Sequence, residues 1–290
     1  MGGKKLRTAN VTVPQGLGDI FWIYRKLYNY FDRFNLSITI TDPNNTIENR
    51  SVKLLSDLPK VESIDTVVWP RERQAKFWKS VPKLDELYPD GFDGDVTFEY
   101  ICNKWLEDGR SLETLDRYFD VAWEFSLPDE PVDLPERYVI LYVSGGVQHL
   151  GRSSWRISDW ALLPNAYFQR KEKCPVVLIG AEFDRWSLDK MKKILLAYEI
   201  ETIERVDLNL GQMCHVINNA EMLMGYQSGL NILADHLDTR QLMVYFNHLP
   251  WMRETWVKPP NRTNGLFTYA YFHDSAEFAM DRHFWIQDNL

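Results

Sequence analysis

The stretch AEMLMGYQSGLNILADHL, residues 220–237, decides the fold class. A short apolar run from Met222 to Gly225 meets Gln227-Ser228-Gly229, after which Leu230, Leu233, Ala234 and Leu237 recur at helical spacing. The run suits a buried strand, and the period that follows suits an amphipathic helix. The join between them is a tight turn built on a small residue and a glycine. The first amides of that helix have no partners within it, point back over the strand end and make a ready anion site. A second turn of this kind lies near the other end of the chain. In TVPQGLGDIFWIYRKL, residues 12–27, the loop Gln15-Gly16-Leu17-Gly18-Asp19 separates a strand at 10–13 from a helix. One such turn is common in any α/β protein. Two of them, roughly 200 residues apart, imply two Rossmann-like lobes facing a shared cleft.

The segments between these turns support that architecture. Strand patterns at 10–13, 36–40, 65–69 and 95–99 alternate with helical stretches at 19–33, 49–57 and 71–80. Such alternation implies a parallel sheet with helices on both faces. Ile20, Ile23, Tyr24, Leu27 and Phe31 give the first helix one apolar stripe. The run Leu127-Pro128-Asp129-Glu130-Pro131-Val132-Asp133-Leu134-Pro135 can continue neither a helix nor a central strand and reads as the linker. The pattern then restarts, with strands at 138–143, 175–179, 203–206, 222–224 and 242–246 and helices at 158–169, 184–198, 209–219 and 229–237. The expected organisation is a lobe over 1–130, a second over 136–263, and an aromatic-rich tail, 264–290.

Composition narrows the function. A formal net charge of −8 over 290 residues disfavours broad binding to a phosphate backbone. Arg71, Arg73 and Lys76, and likewise Arg170, Lys171 and Lys173, read as solvated helix ends. Three dispersed cysteines without a CxxC pair argue for a reducing compartment, hence the cytoplasm, and against a zinc site. Cys214 and His215 read as packing residues. No run reaches 18 apolar residues, so no transmembrane helix is expected. Asp93-Gly94-Asp95 has the spelling of a metal-binding D-x-D, but it is better explained as a turn, and no metal motif is expected. Nothing in the pattern fixes an oligomeric state.

Asp19 has two readings. At the end of a strand, on a loop made flexible by Gly16 and Gly18, its carboxylate can act as a general base. Equally, it can cap the helix that follows. The loop from Ser144 to Arg156 also offers chemistry. Gly145 and Gly146 allow a close approach of backbone to phosphate, Ser153 and Ser154 donate, and Arg152 and Arg156 offer forked cations.

The Gly18-Asp19 turn, Ser154-Trp155-Arg156-Ile157-Ser158-Asp159-Trp160, Leu178-Ile179-Gly180-Ala181-Glu182 and Gln227-Ser228-Gly229 occur in a telling order. Order and spacing together resemble the ADP-heptose:lipopolysaccharide heptosyltransferases, which are GT-B glycosyltransferases. The resemblance covers roughly residues 10–240 and is that of a divergent, phage-type relative. It implies an inverting, metal-independent transfer from a nucleotide-diphosphate sugar to an acceptor hydroxyl, with no cofactor. Asp19 would be the base, beside an acceptor-side loop of Gln15, Gly16 and Gly18. The donor would lie against Gly145, Gly146, Arg152, Ser153, Ser154, Arg156, Glu182, Gln227, Ser228, Gly229 and Leu230. Glu182 would bind the donor ribose. The tail would cross back to the first lobe.

Three departures bear on the donor. The family has a lysine two residues before the tryptophan, where this chain has Ser153. It has an acid where Gln227 stands and a histidine where Ile232 stands. These put the heptose in doubt, and leave as acceptor either a glycan of the lipopolysaccharide type or a hydroxymethylated DNA base. They also allow a rival reading, a nucleotide-sugar-binding protein without catalytic activity. An NAD-dependent enzyme fits poorly, since Ile20-Phe21 stands where its fingerprint needs a third glycine.

Overall fold

A computed structural model describes residues 7–14, 17–28, 34–42, 52, 55–68, 96–99, 125–143, 157–226, 228–246 and 268–272. The chain divides into two compact units, Met1–Pro128 and Asp129–Leu290.

In the first unit, β1 (Arg7–Pro14), β2 (Phe34–Asp42), β3 (Val61–Val68) and β4 (Val96–Glu99) form one parallel sheet in the order β3-β2-β1-β4. Alternation along the strands sorts its two faces. Ala9, Val11 and Val13 of β1, with Phe34, Leu36, Ile38 and Ile40 of β2, are buried. Asn35, Ser37 and Thr39 point the other way and are half-buried. On that face Ser37 and Ser63 share a 2.7 Å hydrogen bond across β2 and β3. Along β2 that face is the more polar of the two. Helix α1 (Leu17–Tyr28) buries Ile20, Phe21 and Tyr24, and the Tyr24 hydroxyl donates to the Pro59 carbonyl at 3.0 Å. Phe125 stacks on Tyr28, with ring centroids 4.3 Å apart, and meets Tyr24 edge-on.

The second unit carries six parallel strands: β5 (Val139–Tyr142), β6 (Val176–Gly180), β7 (Thr202–Val206), β8 (Met222–Tyr226), β9 (Gln241–Phe246) and β10 (Thr268–Phe272). Their order is β10-β9-β8-β5-β6-β7. Numbered within the unit this is 6-5-4-1-2-3, the doubly wound dinucleotide-fold order. β5 and β6 are buried along their whole length, as strands covered on both faces must be. β10, at one edge, was not anticipated from the sequence. It places residues 268–272 of the tail in this sheet, while 273–290 lie outside the described residues.

Around this sheet stand α2 (Ile157–Trp160), α3 (Leu162–Phe168), α4 (Arg185–Ala197), α5 (Leu210–Asn218) and α6 (Gly229–His236). The single helix expected over 158–169 is thus two. Pro164 has no N–H to give the Trp160 carbonyl, so the ladder breaks there. The Ala161 amide instead reaches Ser158 at 3.2 Å. Trp160, Leu163, Leu188, Met191 and Leu195 pack on Val139, Leu141, Leu178 and Met224 to make the core. Among the described residues no helix is long and apolar enough to cross a membrane.

The Pro-rich run is held to the second unit from Asp129 onward. The Glu130 carboxylate accepts from Asn209 Nδ2 at 2.7 Å and Gln212 Nε2 at 2.9 Å, and its amide donates to the Gly211 carbonyl. Arg205 donates to the Asp133 carbonyl at 2.6 Å. The Glu130 carboxylate therefore complements the amino end of α5, where negative charge is favoured. His215, read as a packing residue, is partly buried and also has a polar partner: its Nδ1 lies 2.8 Å from Asp129 Oδ1. Cys214 and Cys174 are packing residues, and burial pushes their thiols up to about 12 and about 11. Lys173 donates to the Tyr198 and Glu199 carbonyls just past the end of α4, a contact with another helix that the reading of its cluster as solvated helix ends did not include.

Candidate functional site

In the second sheet the chain winds outward in opposite directions from β5 and β8. The strand order reverses between them, and in open α/β sheets the ligand crevice forms at the carboxyl ends of two such strands. Each motif expected to hold the donor follows a strand of this sheet in sequence. The loop 144–156 follows β5, the turn at 227–230 follows β8, and Glu182 follows β6, the neighbour of β5.

Gly225 fixes how closely β8 approaches β5. Its φ is +150°, and a Cβ built on it would lie 2.1 Å from the Tyr142 carbonyl oxygen. Three residues later the cap of α6 is reached. Ser228 is the helix N-cap, in extended conformation (φ −159°, ψ 178°), and its Oγ accepts from the Leu230 amide at 3.2 Å. The Ser228 amide donates to Asn231 Oδ1 at 2.6 Å, which closes the reciprocal box. The Leu230 amide, expected as a phosphate donor, is therefore engaged by the cap. Gln227 lies outside the described residues.

Asn231 and Gln241 were not singled out from the sequence. Both are buried, at 2% and 0% exposure. Asn231 Nδ2 donates to Gln241 Oε1 at 3.0 Å, and Gln241 Nε2 returns to the Asn231 carbonyl at 3.2 Å. Two signals could have found them. Asn231 stands three residues after Ser228, the spacing of a capping box, and Gln241 is the polar first residue of an otherwise apolar strand. Ile232 has no solvent exposure and belongs to the core, so the position filled by histidine in the resembling family offers no donor here.

Glu182 opens a 3₁₀ turn, Glu182–Asp184, directly before α4. The capping role there falls to Asp184, which is buried and accepts from the Ala181 amide at 2.9 Å. Glu182 itself is exposed. Arg185 grips it at 2.8 Å through Nη2 and at 3.4 Å through Nε, and this bond holds the carboxyl below its usual range. Arg185 also reaches Glu204 at 2.9 Å, and Lys192 reaches the other Glu204 oxygen at 2.9 Å. Glu182 is ionised and oriented, and an exposed carboxylate keeps lone pairs for a diol.

In the first unit the equivalent edge lies where β1 ends at Pro14, between β2 and β4. α1 begins at Leu17, so Gly18, which is buried, and Asp19 are its second and third residues. Asp19 thus occupies the first helical turn, three residues beyond the N-cap position. Gln15, Gly16, Gly145, Gly146, Arg152, Ser153, Ser154 and Arg156 lie outside the described residues.

No family model matches this sequence, and no curated protein does. Solved structures do. E. coli heptosyltransferase WaaC with ADP matches at a TM-score of 0.52 and 12% identity, covering 92% of this chain and 91% of that one. The same protein with ADP-2-deoxy-2-fluoro heptose matches at 0.50 and 13%, covering 91% and 92%. The dodecameric glycosyltransferase TibC from enterotoxigenic E. coli H10407 matches at 0.50 and 12%, covering 95% of this chain and 65% of the other. The chain shares the fold of these glycosyltransferases, as the ordered motifs implied.

Proposed function

We propose that the protein is an inverting glycosyltransferase that needs no metal. A nucleotide-diphosphate sugar binds the second unit, and a hydroxyl of a glycan-type acceptor attacks its anomeric carbon. The observation that carries this reading is the strand order of the second sheet. It puts β5 and β8 side by side where the strand order reverses, so a crevice there would lie between the segments that follow them, 144–156 and Ser228-Gly229, with Glu182 after the neighbouring β6. A crevice of that kind is where open α/β sheets bind nucleotides. In this mechanism Arg152 and Arg156 neutralise the diphosphate, a task that a metal performs in other glycosyltransferases. Glu182 accepts from the ribose hydroxyls. Asp19 takes the proton of the attacking hydroxyl as the new C–O bond forms and the nucleotide diphosphate departs with the electrons of the old one.

A panel of nucleoside diphosphates and their sugars tests the donor, since a ligand of the native state raises the melting temperature by mass action. At least one of them should do so, and release of free nucleotide diphosphate should follow when an acceptor is added. EDTA should leave that release intact; complete loss restored by Mn²⁺ or Mg²⁺ would show a metal-dependent reaction. Arg152→Ala or Arg156→Ala should weaken binding of the diphosphate by about 1.5–3 kcal/mol, the scale of one charged hydrogen bond. Wild-type affinity in both variants and in the double variant would place the phosphates elsewhere.

A further inference from the structure

Beyond the residues assigned to the donor, the structure points to two that act on it without touching it. We propose that Asn231 and Gln241 are positioning residues for the nucleotide-diphosphate donor. They would hold the Ser228-Gly229-Leu230 turn in its binding shape from inside the core. The inference rests on the donor site proposed above.

The donors and acceptors of this group run in one consistent direction. The Ser228 amide requires an acceptor, and Asn231 Oδ1 supplies it at 2.6 Å. That orientation leaves Asn231 Nδ2 to donate, and Gln241 Oε1 accepts at 3.0 Å. Gln241 Nε2 then donates to the Asn231 carbonyl at 3.2 Å. The turn after β8 is thereby tied to the first residue of β9, the next strand of the sheet. Ser228 Oγ is drawn in as well, 3.3 Å from Asn231 Oδ1 and 3.2 Å from the Leu230 amide.

The surroundings say why this is more than a helix cap. Met224, Ile232, Leu233 and Leu242 nearby in the chain are all buried. A capping box needs only the bond between Asn231 and Ser228. It does not need a second buried amide behind it, and two apolar side chains of similar shape would fill that space without desolvating two amides. What the pair adds is a fixed rotamer for Asn231, and through it a fixed position for the Ser228 amide and hydroxyl. Geometry held by residues locked in the core is what a binding turn requires and a surface cap does not.

The double variant Asn231→Leu/Gln241→Leu separates positioning from stability. Removing both partners for apolar groups of like size is close to neutral for folding, whereas removing one leaves the other unsatisfied. The double variant should melt near wild type, and the single variant Asn231→Leu well below it. Calorimetric titration with ADP, UDP, GDP, CDP and dTDP identifies which diphosphate the wild type binds. For that probe the dissociation constant of the double variant should rise about tenfold or more, the scale of one lost charge-assisted hydrogen bond. Wild-type affinity in the folded double variant overturns the proposal. If that variant does not fold, Gln241→Met decides. It leaves the bond from the Ser228 amide to Asn231 in place and removes the amide behind it, so the dissociation constant for the probe should again rise about tenfold. A folded Gln241→Met variant with wild-type affinity would equally overturn the proposal. Wild-type protein that binds none of the five would instead remove the donor site, and this inference with it.

Discussion

Asp19→Asn is expected to slow sugar transfer by about 10²–10⁴-fold, the usual contribution of a positioned general base. Donor affinity should stay at its wild-type value, because the donor contacts proposed above all belong to the second unit. The substitution keeps the size of the side chain and removes its capacity to take a proton. Helix energetics cannot mimic that loss. α1 starts at Leu17, so Asp19 is in the first turn, where a carboxylate gains about 0.3–1 kcal/mol from the helix dipole. Losing that increment costs stability of the same size and leaves turnover per folded molecule unchanged. Steady-state rates at saturating donor, normalised to folded protein, distinguish the two roles. Turnover within a few-fold of wild type would remove Asp19 from the mechanism.

The architecture was legible because its signals are local and repeated. Apolar strands such as Val139–Tyr142 and Met222–Tyr226, and the Ser228-Gly229 turn, announce themselves over a handful of residues. Where the reading failed, the deciding contact lay elsewhere in the chain or in one backbone atom. Pro164 breaks a helix through an N–H it lacks at the carbonyl of Trp160. His215 shows its role only when Asp129, 86 residues away, is placed against it. Asn231 and Gln241 form a site only because β9 pairs beside β8, a fact of topology that spacing does not contain. Thr268–Phe272 looked like an aromatic tail because an edge strand needs only one neighbour to pair with. For Glu182 the sequence supplied the carboxylate and the turn. Its grip by Arg185, and the bond from Arg185 to Glu204 on the neighbouring strand, came from the fold.

Gly225→Ala is expected to unfold the second unit or to bring it to the edge of stability. The methyl group would lie 2.1 Å from the Tyr142 carbonyl oxygen, 3.0 Å from the carbonyl carbon and 3.3 Å from the Cα. All three are backbone atoms, so no side-chain rotation relieves the clash. Tyr142 cannot retreat either, because β5 is flanked by β8 on one side and β6 on the other. The backbone adds its own cost, since a φ of +150° is one that an alanine adopts only under strain of about 1–3 kcal/mol. With the displaced strands included, the total should reach about 4 kcal/mol or more, among the largest single-residue effects. A domain holds only about 5–15 kcal/mol in reserve. Gly180→Ala is the control. Its methyl meets side-chain atoms of Asp184 and Leu188 at 3.2 Å, so the cost should stay near the 1–3 kcal/mol of ordinary overpacking. Thermal unfolding of the two variants checks the contrast, and a Gly225→Ala melt close to wild type would mean that β5 and β8 can part. If they can, the crevice proposed between their ends is adjustable. Because Gly225 stands three residues before Ser228, any Gly225→Ala protein that does fold should bind the donor more weakly than the Gly180→Ala control.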